Sequence, residues 1–262
     1  MRILITNDDG IHAEGLKIAR KIAIEVAGNE DDVWTVAPMA ENSGVAHCIS
    51  YTKPVRIEEL DNRTFSVDGT PADCVLVGLS AVMKDNPPDL ILSGVNRGNN
   101  ISENTLYSGT VGATIEGVLH GVRGIALSQF FGPKNAKADN PFEAAEVHGA
   151  TVVRNLMENG TWEDQPYAPF YNVNFPPMLS GDVKGAKITT QGRRPKSVNF
   201  RAEPYQAPNR RTYYWLSGGD QQVASEPGSD AHANLEGYIS VTPCRADLTA
   251  HDLVKTLSDF KV

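Results

Sequence analysis

The alternation of short apolar runs with helical spacings over about the first 160 residues is what most constrains the fold of this chain. Residues 3–5, 33–37 and 90–92 are short apolar runs, typical of strands that are buried on both faces of a parallel sheet. Between the first two runs, residues 16–26 carry apolar side chains at helical spacing, and Gly28 ends the pattern. Strands that alternate with helices predict an α/β fold with a Rossmann-like, doubly wound, mostly parallel sheet.

Two helix starts are indicated by their capping residues. Thr70 is followed by a proline and, three residues on, by Asp73, so a helix is predicted to begin after Thr70 and to continue to Val82. Asn140 stands in the same relation to Glu143, and a second helix is predicted to begin directly after Asn140.

The pattern changes after about residue 175. Residues 187–190 and 212–216 are predicted to be the two strands of a long hairpin, and the polar stretch between them is basic, from Arg193 to Arg211. That stretch is either a solvated face of the hairpin or a contact for a nucleotide or a partner subunit.

We expect a single domain over residues 1–262, with a core of about 1–175 plus 225–262 and a hairpin extension of about 185–220. Residues 213–215 are three consecutive aromatics, and successive side chains of a strand point to opposite faces. One face of the hairpin is therefore expected to pack on its own domain and the other on a second subunit, because uncovered aromatics favour aggregation.

Composition limits where this chain works and what it binds. The net charge of −8 argues against a stable nucleic-acid complex, so an anionic substrate would have to be attracted locally. No apolar run approaches the roughly 20 residues of a membrane helix, and the start lacks the pattern of a signal peptide, so a cytoplasmic location with no membrane partner is expected. The three cysteines are far apart and predict neither a disulfide framework nor a zinc site.

The strongest chemical signal is the adjacent pair Asp8 and Asp9, directly after the first predicted strand. Ligands of doubly wound folds bind outside the carboxyl ends of the strands, so a site is expected there. Two neighbouring carboxylates repel each other, and a bound cation removes that repulsion while using both as oxygen ligands. A polar turn whose aspartates cap the following helix is an equally good interpretation of this pair alone.

Three further loops after strands carry oxygen donors or backbone N–H groups. Asn96 lies in a loop rich in asparagine and glycine, Ser108 precedes a predicted helix start, and Ser43 follows the second strand. Each has an ordinary explanation in turn or capping chemistry. Taken together at one edge of the sheet, they suit a hard metal ion and a phosphate group.

The sequence resembles the SurE (survival protein E) family of 5′/3′-nucleotidases over essentially its whole length. The resemblance is carried by these segments in order: 1–11, 37–38 with 43–44, 68–74, 93–99, 108–111 and 228–231. It implies metal ligands at Asp8, Asp9, Ser43 and Asn96.

The resemblance also implies dephosphorylation of nucleoside monophosphates and oligomers built by the C-terminal extension. The family usually has an aspartate at the position of Met39 and a basic residue at the position of Asn42, so these two residues bear on substrate preference.

The expected activity is hydrolysis of nucleoside 5′- (and 3′-) monophosphates by a metal-dependent phosphomonoesterase, a 5′-nucleotidase. One Mg²⁺ or Mn²⁺ per subunit would be held at the two aspartates, the catalytic residues, and the subunits would form a homodimer or homotetramer. Phosphate oxygens would be bound by a set of residues in the other loops, Asn99, Ser108, Gly109 and Thr110. Two alternatives stay open: a phosphatase with a phosphoaspartyl intermediate, which usually has an Asp-x-Asp pattern, and a nucleotide sensor without turnover.

Overall fold

A nine-stranded sheet forms the body of the computed structural model, which describes residues 1–163, 167–207 and 211–256. Its strands, in the order in which they lie side by side, are β3 (Ile57–Asp61), β4 (Thr64–Val67), β2 (Val33–Pro38), β1 (Ile3–Thr6), β5 (Leu90–Arg97), β6 (Arg123–Gln129), β7 (Phe170–Phe175), β11 (Ile239–Cys244) and β8 (Ala186–Ile188). From β4 to β7 all neighbours are parallel, whereas β3 and β11 run antiparallel to β4 and β7. The prediction of an α/β fold with a mostly parallel sheet is confirmed.

Helices cover both faces of the sheet, which explains the uninterrupted apolar runs. The helices of the described residues are α1 (Glu14–Ala27), α2 (Pro71–Val77), α3 (Gly109–Leu119), α4 (Glu143–Asn159), α5 (Asp230–Leu235) and α6 (His251–Thr256). In β1, Ile3 and Ile5 belong to the core shared with α1 and α4, whereas Leu4 belongs to the core shared with α2. Successive side chains of one strand thus meet opposite helix layers, and the doubly wound arrangement is confirmed.

The predicted helix starts have different outcomes. Thr70 and Asp73 form the predicted capping box, because the Thr70 hydroxyl accepts from Asp73 N–H and the Asp73 carboxylate accepts from Thr70 N–H. This α-helix ends at Val77, and the chain continues to Val82 as a π-helical turn. The prediction that Asn140 caps α4 is wrong, since the Asn140 side chain accepts from Phe142 N–H in a turn of its own and α4 begins only at Glu143.

The C-terminal hairpin exists, but the prediction of its first strand is wrong. β9 (Arg201–Gln206) and β10 (Thr212–Ser217) form a separate antiparallel ribbon. The predicted partner, residues 187–190, instead contributes to β8, which pairs in parallel with β11 at the edge of the main sheet. A short strand has the same local sequence pattern whether it pairs with β10 or with β11. The free edge of β11 in the main sheet is what selects the observed pairing.

Both faces of this hairpin are exposed on the chain as it stands. Tyr214 and Trp215 are 58% and 68% exposed although they point to opposite faces. On the Trp215 face, Tyr205 makes edge-to-face contacts with Tyr213 and Trp215. The expectation that one face packs on its own domain is therefore wrong. Residues 208–210 of the basic stretch lie outside the described residues.

Within the described ranges, none of the helices combines the length and the apolar character needed to cross a membrane.

Candidate active site

A cleft of about 400 Å³ lies at the carboxyl ends of the central strands and collects most of the residues predicted from the sequence. The predicted residues that line it are Asp8, Ser43, Asn96, Asn99 and Ser108. They come from the loop after β1, the loop after β2, the end of β5 with the loop that follows it, and the residue before α3. A larger cavity of about 790 Å³ lies at the β7–β11 side of the molecule and contains none of the predicted site residues.

Asp8 is a buried carboxylate at the floor of this cleft, only 4% exposed. Burial raises its pKa from 3.8 to about 6, and the neighbouring charge of Asp9 contributes to the rise. The hydroxyl of Thr110 donates to Asp8 Oδ1 at 2.6 Å and partly offsets this rise. In the absence of a cation, Asp8 is therefore a carboxylate held in an environment that disfavours its charge.

Asp9 is fixed beside the end of β5. Its Oδ2 accepts from the backbone N–H of Arg97 at 2.9 Å, and burial raises its pKa as well. Within the described residues, no lysine, arginine or histidine side chain forms an ion pair with Asp8 or Asp9. The charge of Arg97 offsets part of the rise for Asp9, but the two adjacent carboxylates form no ion pair with any described side chain and keep a net negative charge at the cleft.

Ser43 and Asn96 each present an oxygen to the same cleft. The Ser43 hydroxyl donates its proton to Glu41 Oε1 at 2.8 Å, so its oxygen lone pairs remain available. The Asn96 side-chain N–H donates to the carbonyl of Gly98 at 3.1 Å, which leaves its amide oxygen as the available ligand atom.

Two glycines permit the close approach of these loops. Gly10 has a φ of +99°, a left-handed conformation that lets the chain turn directly after the two aspartates. Gly109 opens α3, and a Cβ atom there would lie 2.9 Å from Asp8 Cβ. The first turn of α3 can therefore rest against Asp8 only because it begins with glycine.

The structure separates the residues that were predicted to bind phosphate. Asn99 and Ser108 line the cleft, whereas Gly109 and Thr110 are buried behind Asp8. The Thr110 hydroxyl is engaged by Asp8, so its side chain acts on the carboxylate. Its backbone N–H also interacts with the Asp8 carboxylate and lowers the pKa of that group, so Gly109 is the residue of this pair whose first-turn N–H remains for an anion.

Sequence reasoning missed part of the cleft wall. Tyr107, Phe200 and Gln221 line the same cleft, the last two from segments on either side of the β9–β10 hairpin. Only Tyr107, which directly precedes Ser108, carries a local signal. The other two lie about a hundred residues further along the chain, and no spacing in the sequence connects them to the aspartates.

The donor set fits a hard divalent cation. Two carboxylates, one amide oxygen and one hydroxyl are all-oxygen ligands of the kind that Mg²⁺ and Mn²⁺ accept. The buried amide oxygen of Asn7, next to Asp8, has no hydrogen-bond partner, so the polar surroundings are incompletely satisfied by protein alone. No cluster of three or more histidine, cysteine, aspartate or glutamate side chains suited to a metal occurs within the described ranges.

Comparison with known proteins agrees with this geometry. The model of the family described as Survival protein SurE matches residues 3–198. Proteins named 5′-nucleotidase SurE are similar over 98% of both chains: one from Roseobacter denitrificans at 55% identity and one from Ruegeria sp. (strain TM1040) at 59%.

A solved structure extends the comparison to three dimensions. The crystal structure of the SurE protein from Aquifex aeolicus superposes with a TM-score of 0.80 at 35% identity and covers 98% of both chains. The match of family model, sequence and fold over nearly the full length means that this chain belongs to the Survival protein SurE family.

Proposed function

We propose that this chain is a metal-dependent 5′-nucleotidase that hydrolyses nucleoside 5′- (and 3′-) monophosphates to nucleoside and phosphate. The observation that carries the proposal is the buried Asp8 at the floor of the cleft, next to Asp9 and without a cationic side-chain partner in the described residues. The names of the full-length relatives support the reaction class.

Asp8 and Asp9 are the charged ligands of a single divalent cation, Mg²⁺ or Mn²⁺, and the oxygens of Ser43 and Asn96 complete the protein ligands. When bound, the cation supplies Lewis-acid polarisation of a phosphoryl oxygen and neutralises negative charge on the phosphate. Thr110 holds the orientation of Asp8 through its 2.6 Å hydrogen bond.

The phosphate oxygens bind on the α3 side of the cleft. The Ser108 hydroxyl accepts from Val111 N–H at 3.1 Å and keeps its own proton to donate. The N–H group of Gly109 adds a backbone donor at the N-terminus of α3, whereas that of Thr110 interacts with Asp8. Asn99 accepts from Asn104 with its oxygen at 3.0 Å, so its amide nitrogen remains as a further donor.

The single-domain organisation and the assembly belong to the same proposal. The core binds metal and substrate, and the exposed aromatic hairpin β9–β10 joins subunits into a homodimer or homotetramer. Support comes from exposure of both faces of this ribbon, which is unusual for three neighbouring aromatics in an isolated chain.

A phosphate-release assay tests the activity. The chain is incubated with AMP, GMP, 3′-AMP and a phosphodiester, each with Mg²⁺, with Mn²⁺ and with EDTA. Release from monophosphates that stops in EDTA is expected, with little release from the diester. Asp8→Asn and Asp9→Asn should reduce turnover by at least about a hundredfold, because each removes a charged ligand.

Four outcomes would overturn the proposal. Full turnover in EDTA would show that the reaction needs no metal ion. Full turnover in both variants at saturating Mn²⁺ would show that Asp8 and Asp9 are not the metal ligands. Binding of nucleotides without any phosphate release would favour the sensor. A trapped aspartyl-phosphate, identified by mass spectrometry on Asp8 or Asp9, would favour the covalent mechanism over direct hydrolysis.

A further inference from the structure

Two kinds of side chain line the cleft. Asp8, Ser43 and Asn96 contribute oxygens, and Tyr107 and Phe200 contribute aromatic rings. These rings meet edge to face, with centroids 5.2 Å apart and an angle of 74° between their planes. They stay 47% and 52% exposed, so much of their flat apolar surface is not covered by the chain.

Phe200 is held at this place by a braced hairpin base. The side chain of Arg194 is fully buried and donates to Glu103 at 3.1 Å and to Gln221 Oε1 at 2.9 Å. The N–H of Gly219 donates to the carbonyl of Val198 at 3.0 Å, which ties together the two strands of chain that enter and leave the hairpin. These contacts hold the base of the hairpin, and with it Phe200, against the body of the fold.

The start of α3 links the aromatic rings to the oxygen ligands. Tyr107 directly precedes Ser108, the residue that caps α3, and the next residue, Gly109, packs against Asp8. A ligand with an anionic group at Asp8 therefore has its other end within reach of the two rings, since three consecutive residues span at most roughly 10 Å.

We propose that Tyr107 and Phe200 form the stacking surface for the nucleobase, with the side-chain amides of Asn104 and Gln221 at its edge. This inference deepens the proposed nucleotidase function and rests on it. An aromatic face accepts any base, because every base has a π-face, and larger purine rings gain more than pyrimidines. The expected specificity is for nucleoside monophosphates over sugar phosphates, with purines ahead of pyrimidines.

The test compares a nucleotide with the same phosphate lacking its base. kcat and KM are measured for AMP, CMP and ribose 5-phosphate in the wild type and in Phe200→Ala. Loss of the ring should raise the KM for AMP about tenfold, which is the usual effect of losing one base–aromatic stack. The KM for ribose 5-phosphate and the kcat for AMP should change less than about twofold.

Two further variants separate stacking from general damage. Phe200→Trp keeps an aromatic face and should restore the KM for AMP. Tyr51→Ala removes an aromatic that is 85% exposed and does not line the cleft, so it should leave every substrate unchanged.

A purely structural role gives a different pattern. If the contact only fastens the hairpin to the body, Phe200→Ala lowers activity on AMP and ribose 5-phosphate alike, and the inference is overturned. If the wild type releases no phosphate at all, the proposed function fails, and calorimetric titration with AMP and ribose 5-phosphate then makes the same comparison by affinity. Equal affinities of the wild type and Phe200→Ala for AMP would by themselves overturn the proposed stacking surface.

Discussion

At the scale of single residues, the site is organised around one unfavourable placement. Asp8 is almost fully buried, its pKa is raised to about 6, and no cationic side chain of the described residues balances it. The Thr110 hydroxyl offsets only part of this cost. Such a residue destabilises the protein alone and becomes favourable once a cation is bound, which is the property expected of a metal ligand.

Removing the hydroxyl of Thr110 should weaken the site without disturbing the fold. Thr110→Val keeps the shape of the side chain but removes the donor to Asp8, so the carboxylate is less well oriented and harder to ionise. We expect a drop in kcat/KM of about tenfold and weaker Mn²⁺ binding, measured by phosphate release and by metal titration.

Thr114→Val is the matched control for this variant. Thr114 is equally buried one turn further along α3, and its hydroxyl donates to the carbonyl of Thr110, away from the carboxylate. Thr110→Ser should retain most activity because it keeps the hydroxyl. Equal losses in Thr110→Val and Thr114→Val would show that packing in α3, and not the hydrogen bond, matters.

At the scale of elements, the sequence predicts those strands and helix starts that depend only on neighbouring residues. The apolar runs of β1, β2 and β5 and the capping box of α2 are predictable because each depends on a few adjacent residues. The pairing of residues 186–188 with β11 is not predictable in this way, because an edge strand is chosen by a partner about fifty residues away.

The candidate site divides in the same way. Asp8 and Ser43 follow strands, Asn96 lies at the end of β5, and Ser108 precedes α3. The rule for parallel sheets is therefore enough to predict that these residues meet at one edge. Phe200 and Gln221 reach the cleft only because the buried Arg194 braces the base of the hairpin against Glu103. Contacts of that kind have no signature in the spacing of residues.

Trimming the hairpin should separate assembly from catalysis. Ala202 faces Leu216 across the ribbon, so residues 203–215 can be replaced by Asn-Gly, a two-residue turn that suits directly paired strands. The loss of the exposed aromatics should lower the mass measured by light scattering, whereas Mn²⁺ binding and release of phosphate from ribose 5-phosphate should persist.

Two results would contradict this prediction. If the native chain is already a monomer at micromolar concentration, the hairpin has no role in assembly. A trimmed chain that keeps the mass of the native assembly would place the subunit contact elsewhere. Leu248→Ser, which changes an exposed apolar residue outside the hairpin, is the matched control.

At the scale of the whole molecule, the raised pKa of Asp8 links stability to pH and metal. The folded-state pKa of about 6 exceeds the ordinary value of 3.8, so the folded protein binds the proton more tightly than the unfolded chain. This contribution is fully present below about pH 4 and is lost as the pH rises through about 6. By pH 7.5 the metal-free protein has lost on the order of 3 kcal/mol from this group.

The comparison of wild type with Asp8→Asn isolates that contribution. In EDTA, the thermal midpoints of the two proteins should be close at pH 4, and the variant should be higher by about 6 °C at pH 7.5. Adding Mn²⁺ at pH 7.5 should raise the midpoint of the wild type only. A difference between the two proteins that does not vary with pH would show that Asp8 is not the titrating group.

The separation in sequence between the aspartates and the aromatic wall also has a consequence for synthesis. The proposed metal ligands are complete once Asn96 has been translated, but Gln221 follows 125 residues later, about 6–25 s at ordinary elongation rates. During that interval a nascent chain on the ribosome carries the oxygen ligands without the surface that we assign to the base. Any activity of such a chain would accept phosphate esters indiscriminately, so selectivity follows the metal ligands in the order of translation.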